Sequence, residues 1–146
     1  MATPQTYRNH KRRDPFHHFV LMPVLILNLI FSVLIWYRHA AQHPHLALWW
    51  IVLSFIFFLL AIKGRTNALR AQDRLIRLEE RLRLTSLLPA ADHPQIYSLT
   101  PHQLIALRFA SDAELPVLAR RAWAENLTAK QIKQAITNWR PDDLRI

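Results

Sequence analysis

The chain has 146 residues, 51% of them hydrophobic, with a net charge of +9, one glycine and no cysteine. That composition excludes disulfides, thiolate zinc sites, a cysteine nucleophile, and the glycine-rich loops that cradle phosphates or dinucleotides. Residues 1–88 hold 12 Lys/Arg against 4 Asp/Glu, whereas residues 89–146 hold 7 against 6, so the basic excess borders the apolar part of the chain rather than a soluble core.

Residues 1–13 form a polar, basic tail. Asp14-Pro15 then offers an N-cap and a first-turn proline, the local chemistry of a helix start. Phe19 to Tyr37 and Leu46 to Ile62 are runs of 19 and 17 residues without a charge, joined by a short loop, His39 to His45. Each is close to the roughly 20 apolar residues that cross about 30 Å of hydrocarbon. A two-span hairpin is expected over residues 14–62, with spans at about 16–38 and 45–63. The first run is longer than a signal peptide's apolar segment and lacks a small-residue cleavage site, so it should be retained. Pro23 removes a helix donor two turns in, which predicts a bend.

Orientation follows from the bordering cations. Arg8, Lys11, Arg12 and Arg13 precede the first span and Lys63, Arg65, Arg70 and Arg74 follow the second, while the loop holds only Arg38. Both termini are expected on the cytoplasmic side of the membrane. Trp36, Tyr37, Trp49 and Trp50 gather at the loop-proximal ends, where amphipathic rings prefer the headgroup layer.

The second helix is expected to run on to about Leu88, with residues 63–88 as a stalk. Ala61, Gly64, Ala68, Ala71, Leu75, Leu78 and Leu82 recur at spacings of three and four, the seam of a coiled coil if the helix runs straight; if it bends at Gly64, the same leucine-rich and arginine-rich faces suit a helix lying on anionic lipid. Asp73–Arg77 and Glu79–Arg83 are spaced as acid-first pairs four apart. Pro89 to Pro94 reads as a linker. Residues 95–146 then form a small module of three helices, started by Thr100-Pro101, by Ser111 to Glu114 as a capping box, and by Thr128 to Gln131 as another. Leu104, Ile105, Leu107, Leu115, Leu118, Trp123, Leu127, Ile132, Ile136 and Trp139 are its expected core. The fold class is all-α.

Several strings are family-like: Asn9-His10, Arg13-Asp14-Pro15 and His18-Phe19; the run Gln72 to Arg83 (QDRLIRLEERLR); Gln103 to Asp112 (QLIALRFASD) with Glu114-Leu115-Pro116; and Ile132-Lys133 with Asn138 to Asp142 (NWRPD). Across nearly its whole length the chain resembles a family of small bacterial two-span membrane proteins classed as a domain of unknown function. The resemblance implies that architecture and supplies no activity, cofactor or catalytic residue.

Candidate sites are few. Asn28 and Ser54 fall at the middle of the two spans, where polar side chains act as interhelical glue or contact a ligand. His17 and His18 at the inner border, and His39, His43 and His45 in the loop, are of a type that binds metal or a cofactor, but no carboxylate accompanies the loop trio. The chain lacks H-E-x-x-H and G-x-S-x-G, and Asp92, Asp112, Asp142 and Asp143 form no catalytic pattern, so no enzyme and no small-molecule substrate are expected. The last two helices could mimic a helix-turn-helix with Lys130, Lys133, Gln134 and Thr137 outward, yet a net +1 over residues 89–146 is a weak electrostatic footprint for nucleic acid. The expectation is a non-enzymatic, cofactor-free membrane-anchored protein that self-associates or docks a protein partner, with Asn28, Ser54, Ala61, Gly64, Ala68, Leu75, Leu78 and Leu82 as helix–helix contact residues. The alternative is a small subunit of a membrane complex whose histidines touch a metal or cofactor.

Overall fold

The structure is a computed structural model that describes residues 6–7, 14–39, 41–42 and 44–141. It is all-helical. Among the described residues the one β feature is an isolated bridge between Ala110 and Trp139. Two compact units divide the chain, residues 13–69 and residues 70–146 with 1–12.

In the first unit, Asp14 caps the chain entry: its Oδ1 accepts from the His17 amide at 3.2 Å and its carbonyl accepts from the His18 amide. A π-helical turn, His17–Leu21, leads into α1, Met22–His39. The Met22 amide donates to the His17 carbonyl five residues back. This one-residue widening stands directly before Pro23, where the missing donor breaks the ordinary ladder, so a register shift occurs at the position expected to bend. The long helix α2, Pro44–Leu87, runs through the apolar segment and on for about seven further turns. Helices His17–His39 and Pro44–Leu87 are both long and apolar enough to cross a membrane, and little of either is buried.

The second unit packs short helices against the last turns of α2. After a 3-10 turn, Ala90–Asp92, come α3 (His93–Ile96), α4 (Pro101–Leu107), α5 (Leu115–Ala124) and α6 (Ala129–Ala135). Thr100 and Thr128 start α4 and α6 with capping boxes completed by Gln103 and Gln131. Gln103 is itself buried, and its Nε2 donates to the carbonyls of Ala122 and Leu127, tying the start of α4 to the end of α5. There Asn126 takes a positive φ of 49°, and the Leu127 amide reaches back to the Ala122 carbonyl, a left-handed helix stop that asparagine tolerates.

Three expectations need correction. Ser111 to Glu114 is not a capping box: α5 has no side-chain cap, and the Glu114 carboxylate instead accepts from the Thr137 amide and hydroxyl and the Asn138 amide. A carboxylate with three donors converging from another segment has no cause to fold back on its own helix. The segment read as a linker, Pro89 to Pro94, is structured and tied to the module, since Ala90–Asp92 forms a 3-10 turn and Asp92 takes two hydrogen bonds from Arg120. Ile105 is only half-buried, because α4 turns Gln103, Leu104, Ala106 and Leu107 inward instead.

The core is larger than the module's own helices. Leu84 and Leu88 of the α2 end join Ile96, Leu104, Leu107, Phe109, Leu115, Leu118 and Ile132, and Trp123 and Trp139 pack on its edge. Thus the module uses the stalk as a wall. That solves the difficulty that some 45 residues alone bury too little apolar surface.

Candidate docking surface

Within the first unit, the polar residues of the two apolar helices meet. Asn28 Nδ2 donates to Ser54 Oγ at 2.8 Å, Ser54 Oγ donates to the Trp50 carbonyl at 2.8 Å, and the hydroxyls of Ser32 and Ser54 lie 2.8 Å apart. Ser32 and Ser54 are buried among otherwise exposed apolar side chains. Sequence position alone had not singled out Ser32, although it lies one helical turn beyond Asn28, whose carbonyl accepts from its hydroxyl. At the other end of these helices, Arg65 Nη1 pairs with Asp14 Oδ2 at 3.0 Å. The hydrogen bond from the His17 amide, with the Arg65 charge beside it, holds the Asp14 carboxyl below its usual range.

The described histidines do not converge. Among the described residues no group of three metal-ligating side chains occurs. His17 and His18 stack edge to face, 5.4 Å between centroids. His39 and His45 flank the loop, and His43 lies outside the described residues.

In the second unit the α2 end shows two distinct faces. Ile76, Glu80, Leu84 and Leu88, each four residues apart, are buried toward the module. Glu80 is the unexpected member: 4% exposed, it takes a hydrogen bond from Arg83 Nη1 at 3.1 Å, and Arg140 stands 3.9 Å away. Burial pushes its carboxyl above the ordinary value, against the pull of Arg83. Arg83 also donates to Asp112 Oδ1 and to the Ala110 carbonyl, so one guanidinium joins α2 to the chain between α4 and α5. The other face carries Leu75, Leu78 and Leu82, which are 56%, 56% and 62% exposed. Leu75 and Leu82 also form part of the wall of an open cleft of about 750 Å³, whose lining includes Glu79, Glu80 and Asp112 against Arg83, Arg108 and Arg140. The acids and bases balance, so the cleft has no net preference for an anion or a cation.

Of the residues expected along the small-residue part of the seam, Gly64 and Ala71 face outward, whereas Ala61 and Ala68 are half-buried. A methyl group built on Gly64 would meet nothing within 4 Å. Lys133, expected on a nucleic-acid face, is half-buried with its Nζ 5.5 Å over the Phe109 ring, and Thr137 is engaged by Glu114.

The architecture defines a class: an all-helical protein with two helices long and apolar enough to span a membrane, the second continuing into a folded helical module. More narrowly, the chain belongs to the family of unknown function DUF6526, whose match covers residues 1–146. No curated protein and no solved structure shows significant similarity to it.

Proposed function

We propose that this is a non-enzymatic, two-pass protein of the bacterial inner membrane, with both termini cytoplasmic, which self-associates through the stalk and so pairs its cytoplasmic helical modules. The observation that carries the proposal is the row Leu75, Leu78 and Leu82. Three leucines more than half exposed on one helical ridge, beside a module that has already satisfied its own core, leave apolar surface that association would remove from water. At roughly 25 cal/mol per Å², even partial cover of three leucines on each of two chains favours association by a few kcal/mol. The Lys/Arg distribution supports the orientation. The tie between Asn28, Ser32 and Ser54 supports an antiparallel hairpin, since apolar helices in lipid hold together by packing and interhelical hydrogen bonds.

The test uses the absence of native cysteine. The full chain carrying Leu78→Cys is oxidised in native membranes, where a species of twice the chain mass is expected. The control is Arg70→Cys, on an exposed position of another face. No dimeric species at Leu78→Cys, or equal yields at the two positions, refutes self-association through this ridge.

A further inference from the structure

We infer that the partner on the leucine ridge is a second copy bound parallel and in register, and that Arg74 and Glu79 select it. This rests on the self-association just described and adds the orientation and the residues that discriminate partners. The spacing places Leu75 and Leu82 at successive a positions of a heptad and Leu78 at the intervening d position. Arg74 is then a g residue and Glu79 an e residue, the two sites that flank an apolar seam. In a parallel two-stranded coiled coil, a g side chain meets the e side chain five residues further along the partner. Five residues separate Arg74 from Glu79. Two-fold symmetry therefore gives two equivalent ion pairs, Arg74 to Glu79 of the second copy and the reverse.

The antiparallel alternative brings like flanks together. Its g–g contacts would set Arg74 and Arg81 of one chain against the same arginines of the other, and its e–e contacts would oppose the two Glu79 carboxylates. The protomer leaves the required groups available: Arg74 and Glu79 are both exposed, and neither forms an ion pair among the described residues. Arg83, four residues beyond Glu79, is committed to Glu80, Asp112 and the Ala110 carbonyl. The module covers Ile76, Glu80 and Leu84, and although Leu75 and Leu82 border a cleft shared with it, all three ridge leucines stay more than half exposed. Two chains anchored in one membrane with one topology also enter the seam side by side from the same surface, as the parallel arrangement requires.

Exposed pairs of this kind are individually weak, each a factor of about 1.5 to 5. Converting two attractions into two repulsions changes association by on the order of tenfold. The test starts from full-length Leu78→Cys in native membranes. Arg74→Glu and Glu79→Arg, made singly, should each lower the yield of the Leu78 disulfide about tenfold, and the double swap in one chain should restore it. Differently tagged Arg74→Glu and Glu79→Arg chains, co-expressed, should give mainly the mixed dimer, because that pairing alone satisfies all four charges. If all charge variants crosslink as well as the parent, the selection by Arg74 and Glu79 is wrong while self-association stands. If single swaps lower the yield and the double swap does not restore it, the two residues do not face each other and the parallel register is refuted. Absence of the disulfide in the parent overturns both.

Discussion

Arg83 is the residue whose loss should cost the second unit most relative to its exposure. The side chains of Arg83 and Glu80 are 12% and 5% exposed, and their contact is 3.1 Å. Removing one partner of a buried pair strands the other, at a cost of about 3–5 kcal/mol, whereas removing both charges costs far less. Arg140 can recover part of the interaction, since its guanidinium is 3.9 Å from the same carboxylate and half exposed. The lower end, about 3 kcal/mol, is therefore expected for Arg83→Ala. For a unit of this size, with an expected stability of about 4–12 kcal/mol, that is a large fraction. Hydrogen–deuterium exchange of full-length protein in mild detergent reads it directly: at 1.4 kcal/mol per decade, the slowest amides of α4 and α5 should exchange on the order of 100-fold faster. The double variant Arg83→Ala/Glu80→Gln should regain most of this protection. Exchange within threefold of wild type in Arg83→Ala would refute the stranded-charge argument. Equal loss in the single and double variants would shift the cause to the uncovered Ala110 carbonyl.

Three further outcomes follow from the same geometry. In right-side-out spheroplasts, an impermeant maleimide should label Gln42→Cys and leave Ala91→Cys unlabelled; the reverse pattern refutes the orientation. Asn28→Ala should weaken the hairpin by about 0.6–2 kcal/mol, measured as an earlier midpoint in SDS titration followed by the fluorescence of Trp49 and Trp50, and an unchanged midpoint would show that the bond to Ser54 contributes nothing. Because burial raises the folded-state pKa of Glu80 above 4.5, the native state holds its proton more tightly than the unfolded chain, so this group's contribution to stability falls as pH rises from 4.5 through the raised value. Glu80→Gln should abolish that slope. Glu114, whose pKa is lowered because hydrogen bonds from Thr137 and Asn138 outweigh burial, runs the other way, its stabilisation being lost as pH falls below 4.5.

Much of the fold was legible because it rests on local chemistry. Uncharged runs, Asp14-Pro15, the Thr100-Pro101 helix start and the Thr128 to Gln131 capping box each act within one helix or one turn, and each occurs where spacing indicates, while the box that Gln103 closes on Thr100 goes beyond the expected N-cap. The polar contact between Asn28 and Ser54 could be anticipated from equal depth in two antiparallel runs. What escaped were long-range partners. The buried stripe Ile76, Glu80, Leu84 and Leu88 is interrupted by a charge, so hydrophobic periodicity selects the neighbouring leucines instead. The wall of the module's core was thereby hidden on the far side of the same helix.

The two acid-first pairs show how tertiary contacts redirect local ones. Spacing assigns Arg77 to Asp73 and Arg83 to Glu79, each worth only about 0.2–0.5 kcal/mol on a helix surface. In the structure Arg77 Nε donates to the Asp73 carbonyl, and Arg83 turns to the buried Glu80 and to Asp112. A desolvated carboxylate outcompetes an exposed one for the same guanidinium, because its charge would otherwise have no compensation. Glu79 is consequently left beside the leucine ridge without the partner its spacing assigns. In the proposed dimer, the commitment of Arg83 to Glu80 and Asp112 within one chain is what leaves Glu79 available to the second copy.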